Sequence, residues 1–281
     1  MSLIDCTLNL AGLLLWLNWV SPGLDTVVRV SSVSLVGTLS RAADTARPRG
    51  KFLLCLLLLV GARALLYWYL GPDAGWTAHL QLGVVAVSFR SDYLGRMFLY
   101  SALGMSMTLA AFYLWLLFLS TIHPATPDKD PVQKLIRLHL GRLDHLPLFA
   151  KLLVPFLITG LAWLLLQPLF AQMGLVPGLK DRNQLLEQAA VVGAGGYLVW
   201  KYLVFGVLVL HVLNTYVYLG NHSFWTFINT TARRLLWPLG WLPLRVGKVD
   251  FAPLLLIAAI FLVTEFVVPQ AFAWLSARLG F

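Results

Sequence analysis

Met97–Leu119 reads MFLYSALGMSMTLAAFYLWLLFL, without one Asp, Glu, Lys, Arg or His. A helix rises 1.5 Å per residue, so about 20 such residues cross a hydrocarbon core roughly 30 Å thick. Inside lipid a helix satisfies its own backbone hydrogen bonds, which an isolated extended segment cannot do. Five further apolar stretches lie on either side, at 3–20, 52–70, 152–170, 191–219 and 254–275. Hydrophobic residues make up 59% of the 281-residue chain and charged residues 12%; the mean hydropathy is +0.78. The fold expected is all-α: a polytopic membrane protein with six transmembrane helices.

A formal charge of +9 raises the question of nucleic acid, and the placement of the cations answers it. Arg29, Arg41, Arg47, Arg49 and Lys51 lie between the first and second stretches. Lys129, Lys134, Arg137, Arg142 and Lys151 lie between the third and fourth, and Arg233, Arg234, Arg245 and Lys248 between the fifth and sixth. The even loops hold only Arg90, Arg96, Lys180 and Arg182. Basic loops stay in the cytoplasm, so both termini are expected outside, in a bacterial inner (plasma) membrane. The excess charge reads as topology and attraction to anionic headgroups, with no nucleic-acid partner. The first cation is Arg29, too late for a signal peptide, so the first stretch reads as a retained anchor. Cys6 and Cys55 read as apolar packing residues, near opposite membrane faces.

Three copies of one unit are visible, each a span, a basic loop and a span. They divide the chain at 1–73, 74–175 and 176–281. Lys51, Pro155 and Pro253 align as starts of the even spans, and twelve residues later stand Arg63, Gln167 and Glu265. The loops have helical patterns of their own. Asp130-Pro131 reads as a cap and first turn, followed by Val132, Leu135, Ile136 and Leu143 at helical spacing. Ser223–Trp237 places Phe224, Trp225, Ile228, Leu235 and Leu236 near one face beside Arg233 and Arg234. Two readings stay open for such basic amphipathic helices: lying in the headgroup plane, or packing on the bundle. Trp76–Ser88 alternates through Ala78, Leu80, Leu82, Val84 and Ala86, the pattern of a strand or an interfacial stretch.

The segment before the last span runs Thr231-Ala-Arg-Arg-Leu-Leu-Trp-Pro-Leu-Gly-Trp-Leu-Pro-Leu-Arg-Val-Gly-Lys-Val-Asp-Phe-Ala-Pro253. It resembles the YggT (YlmG) family of small integral membrane proteins, whose units carry Thr-x-Pro-Leu-Leu-x-Pro, an Arg, a second Pro, then Asp-apolar-Ser-Pro entering the next span. Thr231, Pro238, Pro243, Arg245, Asp250 and Pro253 occupy family positions; Arg233 stands where the family usually has Pro and Ala252 where it has Ser. The second unit matches faintly and the first hardly at all. The resemblance implies a scaffold or assembly factor, since relatives are linked to cell division, nucleoid and membrane organisation and, in plastids, cytochrome complex assembly. The same residues read locally as punctuation: Asp250 caps the last span, Pro253 sits in its first turn, and Pro238 and Pro243 end the loop helix. A partner-docking epitope is the other reading.

Ionisable groups inside spans are costly and are candidates for function. Arg63 and Glu265 lie about 18 Å into their helices at 1.5 Å per residue. Lys201 falls at a similar level. The expectation is a central polar cluster of Arg63, Gln167, Lys201 and Glu265, with Arg63 paired to Glu265. Its readings are a buried specificity network, a solute or ion path, or snorkelling of Lys201. His211, His222, His123, His139 and His145 lie at interfaces, and no facing mid-membrane pair suited to haem is present. H-E-x-x-H, G-x-S-x-G, Walker A and C-x-x-C are all missing, and no cofactor or metal is expected. The chain therefore reads as non-enzymatic, with membrane-protein partners and the lipid bilayer. A channel or transporter component, linked through the family to osmotic tolerance, is the alternative.

Overall fold

The computed structural model describes residues 2–20, 49–72, 77–82, 85–123, 131–176, 178, 181–217, 222–241, 244–246 and 249–279. Arg29, Arg41, Arg47, Lys129, Lys180, Pro243 and Lys248, and the cap expected of Asp130, fall outside them. Six helices are long and apolar enough to cross a membrane: Leu3–Val20, Gly50–Leu70, Leu94–Ile122, Leu148–Gln172, Arg182–Val217 and Ala252–Trp274. The chain divides into two compact units, Met1–Leu80 with Ser88–Ala111, and Gln81–Val87 with Phe112–Phe281.

In the first unit, α1 (Ser2–Val20) packs along α2 (Arg49–Leu70). Strands β1 (Thr77–Leu82) and β2 (Val85–Arg90) pair as a two-stranded sheet. The alternating segment thus supplies both strands itself, within a fold that is mostly helical. The alternation also changes phase. Ala78 and Leu80 are buried on β1 but Val87 and Phe89 on β2, in place of Ala86. Helix α3 (Leu94–Ile122) follows, and its residues from Phe112 belong to the second unit.

The second unit continues with α4 (Pro131–Leu140), a 3₁₀ turn at Gly141–His145 and α5 (Leu148–Gln172). Helix α6 (Arg182–Gly195) passes through a 3₁₀ turn at Gly196–Leu198 into α7 (Val199–Val217). After α8 (Ser223–Leu236), the short strands β3 (Arg245–Val246) and β4 (Val249–Asp250) pair antiparallel. Helix α9 (Ala252–Leu262) is joined to α10 (Val268–Leu279) by a π turn at Val263–Val267.

The two amphipathic helices pack on the bundle. Ile136 and Leu140 of α4, and Phe227, Ile228 and Ala232 of α8, share one core with Leu116 and Leu117 of α3 and Val204, Val207 and Leu208 of α7. These residues are committed to protein, whereas Leu143 and Phe224 of the same patterns stay exposed. The Trp115 indole donates to the Val199 carbonyl at 2.8 Å, and Trp200 to the Leu114 carbonyl at 3.1 Å, pinning α3 to α7.

Helices α5 and α6 approach closely through small residues. A Cβ on Gly193 would meet the Phe156 ring and carbonyl at 3.0 Å, and one on Gly196 would meet the Thr159 hydroxyl at 2.5 Å. Van der Waals packing drives helix association in lipid, so this proximity is what small residues allow. Gly196→Val is expected to cost about 2 kcal/mol through overpacking. Thermal unfolding in detergent checks this, and an unchanged midpoint would contradict the close packing.

Candidate functional site

The intramembrane polar residues form separate pairs. In the first unit Arg63, 3% exposed, donates from Nη2 to Asp5 Oδ1 at 2.5 Å and from Nη1 to Asn9 Oδ1 at 2.6 Å. Asp5 and Asn9 are four apart on α1 and so share a face. Tyr67 donates to Asp5 Oδ1 at 2.6 Å and Tyr100 to Oδ2 at 3.3 Å. The guanidinium carbon lies 5.6 and 5.4 Å from the centres of those two rings, within cation–π range. A Cβ at Gly104 would stand 3.2 Å from Nη2, so the glycine leaves room for the guanidinium. A buried arginine is tolerated when paired and hydrogen-bonded; Nη1 and Nη2 meet both conditions, while Nε has no hydrogen-bond partner among the described residues.

In the second unit Lys201 Nζ lies 2.9 Å from Glu265 Oε1, and 5.1 Å from the Tyr202 ring centre. The pair is partly open, with side chains 22% and 47% exposed. Lys201 is the third residue of α7, in its first turn after the 3₁₀ turn, and Glu265 is the middle residue of the π turn. Thr264 donates to the Ile260 carbonyl at 2.8 Å, covering a backbone oxygen at the helix irregularity.

The Arg63–Glu265 bridge expected from the repeats is thus replaced by Arg63–Asp5 and Lys201–Glu265. Gln167 joins neither pair. It is 4% exposed on α5, and its Nε2 has no hydrogen-bond partner. Four residues earlier on the same helix, Trp163 points its indole N–H at Gln188 Oε1 of α6, 3.4 Å away. Gln167 lies nineteen residues after Leu148, whereas Arg63 lies fourteen after Arg49 and Glu265 thirteen after Ala252. Helix α5 starts earlier than its apolar stretch. Pro155, aligned in the sequence with helix starts, is inside α5.

A third network was not foreseen. Lys151 is 7% exposed; its ammonium donates to Ser120 Oγ at 2.6 Å, and that hydroxyl donates to Asp144 Oδ1 at 2.5 Å. Arg137 Nε stands 3.6 Å from the other carboxylate oxygen. These groups tie the end of α3, helix α4, the turn after it and the start of α5. A serine beside a lysine amine is also an arrangement of nucleophilic hydrolases. The void beside Ser120, however, holds about 10 Å³, the space of a single water at most. The signal in the sequence was Ser120, the polar residue ending the α3 stretch, with Asp144 and Lys151 both close to the start of α5.

The motif residues have structural duties. Thr231 is fully buried; its hydroxyl donates to the Phe227 carbonyl at 2.8 Å and lies 2.8 Å from His123 Nε2, whose ring stacks on Phe227. Asp250 accepts from the Ala252 N–H at 3.0 Å, and Pro253 is in the first turn of α9, both as expected. Pro238 lies in the 3₁₀ turn that ends α8. Arg245 is in β3. The adjacent arginines differ. Arg234 Nη1 donates to the Ile122 carbonyl at 2.8 Å, satisfying one of the last carbonyls of α3. Arg233 is exposed.

Arg234→Ala is therefore expected to cost about 2 kcal/mol, the value of a hydrogen bond to a charged donor. Arg233→Ala is expected to stay within about 0.5 kcal/mol of wild type, as for an open surface position. Thermal melts of the two variants test the contrast, and equal midpoints would contradict it.

Among the described residues no three His, Cys, Asp or Glu side chains gather in a metal-holding group. Cys6 and Cys55 are free and exposed. No family model, curated protein or solved structure matches the chain.

Proposed function

We propose that this chain is a non-enzymatic scaffold or assembly factor of a bacterial inner membrane, with both termini outside the cytoplasm and membrane proteins as partners. The observation that carries this reading is closure of the intramembrane charges. Arg63 has Asp5 and Asn9, and Lys201 has Glu265. A conducting path needs polar groups that face water, whereas Arg63 is buried against Asp5 and Asn9, and Lys201 has Glu265 as its partner. The resemblance to the YggT (YlmG) family and the three-unit organisation belong to the same proposal. They are supported by the structural duties of Thr231, Asp250 and Pro253.

One observation favours a channel or transporter component instead. Lys201 and Glu265 are partly exposed beside a 3₁₀ turn and a π turn, and helix interruptions accompany many transport sites.

Proteoliposomes distinguish the two. The scaffold reading predicts proton, potassium and neutral-osmolyte fluxes equal to those of protein-free vesicles, with discrete complexes recovered from native membranes. Flux above that background, abolished by Glu265→Gln, would overturn it in favour of transport.

A further inference from the structure

From Ser223 to Lys248 the chain has no acid, while it carries Arg233, Arg234, Arg245, Lys248 and three tryptophans, Trp225, Trp237 and Trp241. Helix α8 turns Phe227, Ile228, Thr231 and Ala232 into the bundle. The spacing of Thr230, Arg233 and Trp237, three and four residues apart, puts these side chains together on another face. With Arg234 they line an open cavity of about 390 Å³. That lies within the range of about 300–1,000 Å³ typical of small-ligand pockets.

The lining has the chemistry of an anion site. Among the described residues Arg233 and the Trp237 indole have N–H donors and no protein acceptor, and no carboxylate lines the cavity. Arg234 is held in place by its bond to the Ile122 carbonyl, so one edge of the cavity is already ordered. An exposed guanidinium offers the planar donor fork that matches phosphate oxygens.

Position selects the kind of phosphate. Helix α8 lies between Val217, the end of one membrane-length helix, and Ala252, the start of another. Trp237 and Trp241 are each 80% exposed, and such tryptophans occupy the headgroup level of membranes. Two guanidinium groups disfavour the ammonium of a zwitterionic headgroup, leaving a phospholipid of net negative charge.

We propose that the cavity formed by Thr230, Arg233, Arg234 and Trp237 is a discrete binding site for the phosphate of one anionic phospholipid. Arg233 grips the phosphate oxygens and Trp237 marks the headgroup level. This goes beyond the diffuse attraction of basic loops to a membrane surface. It needs the helix to lie at the membrane boundary, and it does not depend on the scaffold reading.

The test is native mass spectrometry of delipidated protein in a nonionic detergent. The protein is titrated separately with phosphatidylglycerol, phosphatidylcholine and inorganic phosphate. One saturable phosphatidylglycerol is expected, bound about tenfold or more tighter than phosphatidylcholine. Arg233→Ala should weaken it about tenfold, and Arg233→Lys, which keeps the charge without the fork, should fall between. Arg142→Ala, which removes an exposed arginine elsewhere, should leave the first site unchanged. Binding unaffected by Arg233→Ala, an equal effect of Arg142→Ala, or many equivalent lipids with no first site would overturn the proposal. Inorganic phosphate bound as tightly as the lipid, with the same dependence on Arg233, would overturn the lipid assignment.

Discussion

Asp5→Leu is expected to destabilise the protein by about 3–5 kcal/mol, because it strips the countercharge from a buried arginine. Asp5 takes hydrogen bonds from Arg63, Tyr67 and Tyr100, so one carboxylate ties α1 to α2 and to the start of α3. Without it, Arg63 keeps the neutral Asn9 carbonyl at 2.6 Å and the faces of Tyr67 and Tyr100, and no countercharge among the described residues. The double variant Asp5→Leu/Arg63→Leu removes both charges and is expected to return to within about 1 kcal/mol of wild type, since buried pairs are often replaceable by apolar residues. Thermal unfolding of the set in detergent gives the coupling. Additive losses in the double variant would mean that the two side chains do not meet.

Asp144→Leu is the second large effect, at about 3 kcal/mol. It leaves the buried Lys151 ammonium with the Ser120 hydroxyl and takes the acceptor away from both Ser120 and Arg137. Loss should be local at first. Helix α4 is tied to the bundle by this carboxylate and by Ile136 and Leu140, so hydrogen exchange in α4 should rise before the spans loosen. Protection in α4 equal to wild type would show that the apolar contacts alone hold it. The companion Lys151→Met variant is expected to lose less, because Asp144 then keeps Ser120 and Arg137.

Hydropathy made the six long helices legible, and their cores match the apolar stretches. Their ends did not follow. Helix α3 begins at Leu94, where the apolar run begins at Met97, and α5 begins at Leu148, so Arg96 and Lys151 are helical. A charged residue at a helix end is compatible with lipid when its tip reaches water or a partner, so hydropathy alone cuts helices short. The partner of Arg63 was not legible either. Equal spacing from presumed helix starts pointed to Glu265, but pairing is decided by which faces meet. The Asp5–Asn9 face on α1 was readable only as a polar pair at helical spacing. The roles of Arg233 and Arg234 were likewise inseparable in the sequence. A rotation of about 100° between neighbours on α8 sends Arg234 to the end of α3 and leaves Arg233 outside.

The central claim is that the chain crosses a bilayer six times. Cysteines placed singly near each terminus and in each connection, in a background with Cys6 and Cys55 replaced, can be labelled with a membrane-impermeant thiol reagent in sealed vesicles. The account predicts that both termini and the second and fourth connections react from one face, and the first, third and fifth from the other. Termini that react from opposite faces would contradict it.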